Sequence, residues 1–412
     1  MTPDIASFDE FDVEGKRVLV RLDINSPLDP SSGVITSDNR IDRSLPTIRD
    51  LADAGARVVL LAHQGDALDY ENFASLRQHA AKLAEKLATP VAFIDDCAGP
   101  AARARIGELE NGEILLLENV RIYAEEMTTF EATVKLTPAE MAGTYLVRHL
   151  APLFDLYVND AFAAAHRRAP SLVAFPEVLP SAGGRLLIEE VGILAKVSEA
   201  PARPCVFVLG GLKISDAFAM LERALTDRTA DRVLTSGVTG EIMLMAAGRE
   251  LGPAVDRFIS DRGLDTFLPA ARRLLAQFPD SIVVPTDLAV ERAGERIEVG
   301  LDDLPVEELI IDIGSDTISR YEAIIEQAAT VFVNGPPGVY EKPAGADGTA
   351  RLWSSVARAP GFTVIGGGDT VNSAARFIDL AAIDYTSTGG GALIRYLSGQ
   401  ELPLLAALER SA

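Results

Sequence analysis

Short apolar runs alternate, through the first half of the chain, with longer stretches whose apolar residues recur at helical spacing. The runs Arg17–Asp23, Arg57–His63, Val91–Asp95, Ile114–Glu118 and Asp155–Asp160 predict strands. Leu45–Ala54, Phe73–Leu87, Ala98–Glu108 and Ala139–Leu150 predict helices between them. This is the order of a doubly wound α/β sheet with mainly parallel strands, which binds ligands at its strand C-termini.

A second series begins at Pro201, with strands expected near Cys205–Gly210, Arg232–Thr235, Ser281–Pro285, Thr330–Val333 and Phe362–Ile365. Two similar sheets follow. Between them, Pro180-Ser181-Ala182 leads into Gly184–Val197, which reads as an interdomain helix. Ser181 is expected to cap it, and Glu189 and Glu190 sit in its N-terminal half, where the helix dipole favours negative charge. No short repeat or heptad array is present, which disfavours solenoids and coiled coils.

Length and composition agree with two globular domains: 412 residues, 48% hydrophobic and 24% charged, with no apolar stretch near the roughly 20 residues that a membrane span requires. A formal net charge of -22 argues against nucleic acid or an anionic membrane as the partner, because both attract a positive field. Met1–Lys16 lacks the basic and apolar segments of a signal peptide. Cys97 and Cys205 have no metal-type spacing and are expected to be buried thiols, so a cytoplasmic location is expected.

Against this acidic background, the predicted strand ends carry distinctive chemistry. Phe362–Ile365 runs into Gly366-Gly367-Gly368-Asp369-Thr370. There glycines let the backbone approach an anion, the free amides of a following helix point at it, and Asp369 can hold a nucleotide's magnesium. A flexible turn would read the same way in isolation. Ser387-Thr388-Gly389-Gly390-Gly391-Ala392 repeats the pattern, however, and Val206–Leu209 leads into Gly210-Gly211-Leu212-Lys213, whose lysine supplies a mobile point charge. Asn334-Gly335-Pro336-Pro337-Gly338 makes a further sharp turn after a strand. One nucleotide cleft is the simplest reading of all four.

The first half gathers cations at its strand ends instead: Arg21 with Asp23 and Asn25, then Arg40, His63, Arg121, and His166-Arg167-Arg168. Each arginine alone reads as a surface ion-pair partner, but their repetition at ligand-facing positions suits a small, multiply charged anion. His79 and His149 fall within helical patterns as structural residues. The chain has no His-Glu-x-x-His, Gly-x-Ser-x-Gly or Walker-type lysine motif. An anion site beside a magnesium-nucleotide site is the logic of a kinase, and a two-domain cleft closing about a hinge would align its substrates and exclude water.

At this level of detail Val18-Leu19-Val20-Arg21-Leu22-Asp23-Ile24-Asn25-Ser26-Pro27 resembles the signature of the phosphoglycerate kinase family. Asp38–Ile41, Ala62–Gly65, Leu116–Arg121, Asn159–Arg167, Leu209–Lys213, Asn334–Glu341, Gly366–Thr370 and Ser387–Ala392 follow in family order, with phrasing similar to the archaeal-type branch. The resemblance implies two Rossmann-like domains: an acid-substrate domain over 1–180, an interdomain helix over 181–199, a nucleotide domain over 200–385, and a segment over 386–412 returning towards the first domain. It implies that Asp23, Asn25, Arg40, His63, Arg121 and Arg167 hold 3-phosphoglycerate, and that Arg40 and Lys213 stabilise the phosphoryl group in flight. Gly211, Lys213, Gly237, Asn334, Gly338, Glu341, Gly367, Gly368, Asp369 and Thr370 would bind ATP or ADP, with Glu341 on the ribose, Asp369 on Mg2+ and Gly390 assisting through its amide. A monomer is implied as well.

Some positions depart from that pattern. Asp66-Ala67 stands where the family has Arg-Pro after His-x-Gly, Ala217 replaces a second lysine, and the base loop reads Ser236-Gly237-Val238-Thr239-Gly240. The Asp-x-Gly-Pro turn reads Asp312-Ile313-Gly314-Ser315. These leave three readings: an active phosphoglycerate kinase, a paralogue for another small phosphorylated acid, and a non-catalytic nucleotide-binding member. Turnover separates the first two from the third. A dinucleotide oxidoreductase is disfavoured because no Gly-x-Gly-x-x-Gly follows the first strand.

Overall fold

Arg17–Leu22 (β1) is the strand around which the first unit is built. In the computed structural model, which describes residues 3–65 and 73–410, it lies between parallel partners Arg57–Leu61 (β2) and Leu156–Asp160 (β5). With Val91–Phe93 (β3), Ile114–Leu116 (β4) and Ser181–Gly183 (β6) they form a parallel sheet of order β3-β4-β2-β1-β5-β6. Successive side chains of β1 point to opposite faces. Val18, Val20 and Leu22 enter one core with Ile41, Ile48 and Leu60, and Leu19 enters the other with Leu61, Leu115 and Tyr157. A strand covered on both faces must be apolar at nearly every position, which is why its signal is a continuous run, and each fully buried leucine or valine contributes roughly 1.5–3 kcal/mol. Arg21, on the face of Leu19, is the exception.

Register aligns the strand ends. Arg21 lies opposite Leu61 and Asn159, and Leu22 opposite Asp160, so the loops carrying Asp23, His63 and Arg167 leave one edge of the sheet.

Several boundaries differ from expectation. The helix expected at Leu45 begins at Asn39, ahead of Pro46, because its first turn is polar and lacks apolar periodicity. The helix expected over Ala139–Leu150 breaks into Pro138–Met141 and Tyr145–Leu150, with Gly143 and Thr144 between them. Ser181 does not cap the interdomain helix. It is held in β6, its hydroxyl donates to the Leu179 carbonyl, and the helix spans Arg185–Ser198. Asp160, at the end of β5, accepts from the Leu187 amide at 3.0 Å, while Thr47 Oγ1 accepts from the Arg185 amide at 2.8 Å. The first compact unit comprises Met1–Gly192 and Glu401–Ala412. Its helix Pro403–Arg410 bonds back through the Leu404 amide to the Ala165 carbonyl.

The second unit, Ile193–Gln400, contains Cys205–Leu209 (β7), Arg232–Thr235 (β8), Ile282–Val283 (β9), Asp287–Arg292 (β10), Glu295–Gly300 (β11), Ile310–Ile313 (β12), Thr330–Asn334 (β13), Phe362–Gly366 (β14) and Tyr385–Ser387 (β15). The larger sheet is parallel, in the order β15-β14-β13-β7-β8-β9. The antiparallel sheet β11-β10-β12 was not expected. Its hairpin turns on Ala293 and Gly294, both at positive φ, and charged residues at the tip, where Arg292 pairs with Glu295, mask the strand pattern. Cys97 and Cys205 are buried and free, as expected.

Candidate active site

In the first unit the cationic loops close around His63. Its Nδ1 lies 3.1 Å from Arg21 Nη2. A guanidinium can only donate, so Nδ1 must be the acceptor. Burial, together with the charges of Arg21, Arg121 and Arg167, pushes the imidazole well below its usual pKa against the pull of Asp23, so the ring is neutral near pH 7. The proton of a neutral ring with an accepting Nδ1 resides on Nε2, leaving a fixed donor. Behind Arg21 stands a buried relay: its Nε donates to Ser171 Oγ at 3.0 Å, and Ser171 donates through Oγ and its amide to Glu126, each at 2.7 Å. Glu126 and Ser171 escaped the sequence reading, since nothing in the sequence pairs positions 150 residues apart.

The other expected acid-site residues fall around this centre. Arg40 Nη1 is 2.6 Å from Asp23 Oδ1. Burial alone would raise Asp23, but Arg40, with Arg21, overrides it and holds the carboxyl well below its usual range. Asn25 accepts from the Gly65 amide at 3.0 Å, tying the Asp23 loop to the loop that follows β2. Gln64 strengthens that tie, accepting from the Ser26 amide at 2.9 Å and bonding buried His79 at 3.1 Å. Arg121 is buried, with its amide on Asn119 Oδ1. Arg167 pairs with Glu131 at 3.3 Å. His149 bonds its own helix at the Tyr145 carbonyl. Asp66 lies outside the described residues.

In the second unit, the ends of β7, β8, β13 and β14 line one cavity of about 640 Å³, and Gly390 and Gly391 after β15 also reach it. Backbones pack here without room for side chains. A Cβ on Gly335 would stand 2.2 Å from the Gly210 carbonyl oxygen, one on Gly237 2.8 Å from the Gly211 nitrogen, and both glycines have positive φ. Asn334 Nδ2 donates to the Gly366 carbonyl at 2.7 Å, and Thr370 Oγ1 accepts from the Gly335 amide at 2.8 Å, so both side chains bind the loops after β13 and β14 together. Gly367 starts the helix Gly368–Phe377, and Gly368 has no protein atom within 4 Å of where its Cβ would stand. Lys213 Nζ approaches Asp369 Oδ2 to 3.7 Å, with both side chains largely exposed. Gly338 is backed by buried Asp312, which accepts from the Gly348 amide at 2.7 Å and pairs with Arg296 at 2.9 Å. Exposed Glu341 also lines the cavity.

The order of these loops is matched by the model of one known family, phosphoglycerate kinase, over residues 8–400. The chain belongs to the phosphoglycerate kinase family. It is 44% identical to a phosphoglycerate kinase of Methanothermobacter thermautotrophicus over 98% of this chain and 97% of that one. It is 43% identical to that of Methanococcus maripaludis over 98% of both. The crystal structure of phosphoglycerate kinase from Pyrococcus horikoshii OT3 superposes with a TM-score of 0.87 at 36% identity, covering 99% of each chain. The expected resemblance, its archaeal character and the two-sheet α/β fold all hold.

Several cavity residues were missed, Asp216 and Glu241 among them. Glu241, in the helix Gly237–Ala246, is buried, and desolvation raises its carboxyl from the usual 4.5 to about 8. The signal was present as a lone charge beside the apolar run Ile242–Met245. Because the folded state holds this proton more tightly than the unfolded chain, the associated stability is complete below pH 4.5 and is lost as pH rises through 8. Urea unfolding at pH 5 and pH 8.5 should show that loss in the wild type and a flatter profile in Glu241→Leu. Equal slopes would mean the carboxyl ionises freely in the fold.

Proposed function

We propose that this chain transfers a phosphoryl group reversibly between 1,3-bisphosphoglycerate and ADP, giving 3-phosphoglycerate and ATP. The observation that carries the reading is Lys213 within 3.7 Å of Asp369 where the glycine turns converge, a mobile cation beside an exposed carboxylate. The first unit would hold the acid. Arg121 and Arg167 would provide guanidinium forks, His63 a neutral Nε2–H donor, and Asp23 and Asn25 oriented polar groups. Arg40, now on Asp23, would turn to the phosphoryl group.

The second unit would hold the nucleotide. Gly211, Gly237, Gly338, Gly367 and Gly368 permit close backbone approach, Asn334 and Thr370 keep the loops in register, and Glu341 suits the ribose hydroxyls. A magnesium ion fits these residues. Magnesium commonly takes one or two carboxylates plus substrate phosphates, and Asp369 is such a carboxylate, with no cage of three acidic, His or Cys ligands among the described residues. Bound there with nucleotide, it would neutralise phosphate charge. Lys213 would stabilise charge on the transferring group, and no general base is needed because the attacking ADP oxygen is already ionised.

This reading makes the chain a monomeric cytoplasmic enzyme of small molecules, with neither nucleic acid nor membrane as partner. No helix among the described residues is long and apolar enough to cross a membrane. A coupled assay of ATP-dependent turnover with 3-phosphoglycerate tests it. The wild type should turn over despite Asp66, and a silent wild type that gains activity as Asp66→Arg would assign the chain a different acid.

A further inference from the structure

The strand ladders of the first unit end short of the residues that its cationic site uses. Arg21 and Leu61 are the last residues paired between β1 and β2, whereas Asn25 and His63 lie beyond them. There side-chain amides take over from the backbone. Gln64 accepts from the Ser26 amide through Oε1 at 2.9 Å and donates through Nε2 to the Ser26 carbonyl at 2.8 Å. Asn119 holds Gln64 in the same way, accepting from its amide at 3.2 Å and donating to its carbonyl at 2.9 Å. A two-point bond of this kind copies one step of a sheet ladder: it satisfies a buried donor and a buried acceptor together, and it fixes rotation as well as separation. Gln64 therefore joins three loops, and each join lies beside a site residue. Ser26 follows Asn25, Gln64 follows His63, and Asn119 Oδ1 also accepts from the Arg121 amide at 3.1 Å.

His79 completes the arrangement. The donor and acceptor of Ser26 leave the Gln64 amide one orientation, so Oε1 is the atom 3.1 Å from His79 Nε2, and an amide oxygen can only accept. His79 therefore donates. It is 1% exposed, on the helix Arg77–Leu87, and burial keeps its ring neutral by lowering the pKa to about 4. We infer that Gln64 is a positioning residue of the acid site, which, held by His79 and Ser26, sets the spacing of Asn25, His63 and Arg121 before any acid arrives. The inference rests on the reading of the first unit as the 3-phosphoglycerate site. Gln64 is 3% exposed and its oxygen already accepts two bonds, so it acts through the loops that it joins. Without its amide the ligand itself must order those loops, and affinity falls by the cost of that ordering.

Calorimetric binding of 3-phosphoglycerate and of ADP to the full chain tests this. Gln64→Met keeps the length of the side chain and removes the amide. It should bind 3-phosphoglycerate ~10-fold more weakly, the scale of ordering about one residue of backbone, and ADP as tightly as wild type, because the glycine turns belong to the other unit. Amide hydrogen exchange of the wild type without ligand gives a second measurement that needs no variant. The Ser26, Gly65 and Arg121 amides, bonded to Gln64, Asn25 and Asn119, should exchange on the order of 100-fold more slowly than in an unstructured chain. Unchanged 3-phosphoglycerate affinity in folded Gln64→Met, or an equal loss for ADP, overturns the inference and leaves the kinase reading standing. Unprotected amides in the wild type do the same, whether or not the variant folds. A wild type that binds no 3-phosphoglycerate overturns the acid reading and this inference with it.

Discussion

Lys213→Ala is expected to lower kcat by roughly 10³-fold, the scale of removing one preorganised charge from a transferring phosphoryl group, while thermal unfolding stays within about 2 °C of wild type. The two halves of this expectation have separate origins. Lys213 precedes the helix Ile214–Thr226, its side chain is 69% exposed, and the partner that the structure provides, Asp369, is 72% exposed. An ion pair so solvated contributes little to folding. Transition-state charge is another matter, because on the proposed reading the same ammonium, with nucleotide bound and water excluded, would face oxygens whose charge changes during transfer. Lys213→Arg should recover only part of the rate, since a planar fork cannot follow the moving group as a compact ammonium does. Retention of more than about a tenth of wild-type kcat by Lys213→Ala would remove this lysine from the chemistry.

What the sequence disclosed, and what it hid, follows from how each feature is built. The parallel strands were legible because strands buried on both faces spell themselves as unbroken apolar runs, and the glycine turns because backbone packed on backbone leaves no other residue possible at Gly335 or Gly237. Elements defined by a single partner were not. Asp160 ends a strand and also holds the start of the helix Arg185–Ser198, a role that Ser181 was expected to fill, and local spacing gives no hint of it. The sheet β11-β10-β12 shows charge along its hairpin because its tip is open.

The candidate sites of the two units differ in the same way. The glycine turns of the second unit are local motifs, whereas the cationic site of the first is an assembly of side chains from distant loops. Its cations could be named from the sequence, but their pairing could not: Arg40 on Asp23, Arg167 on Glu131, Arg21 behind His63. Glu241 is intermediate, visible as a charge in an apolar context yet without meaning until the cavity that it lines is known.

Arg21→Met should destabilise the protein by about 3–5 kcal/mol, the usual consequence of stranding a buried charge, and should raise KM for 3-phosphoglycerate. Arg21 is 2% exposed, and its guanidinium also donates to the Leu22 carbonyl. Burial raises the carboxyl of Glu126, while Arg21, Ser171 and Arg167 favour its ionised form. Removing the guanidinium leaves this carboxyl with Ser171 but without its nearest cation. The double variant Arg21→Met/Glu126→Gln deletes the stranded charge and should regain most of the lost stability. It should not regain the KM, because nothing would then hold His63 Nδ1 as an acceptor and the ring could place its proton on either nitrogen. Nitrogen-15 chemical shifts of His63 report that distribution directly: one Nε2–H tautomer in the wild type, a mixture in both variants. A double variant with restored stability, a wild-type KM and an unchanged tautomer would show that Arg21 only fills space in the core. A restored fold with a mixed tautomer and a raised KM would show that the buried relay from Glu126 through Ser171 and Arg21 sets which face of His63 meets the substrate.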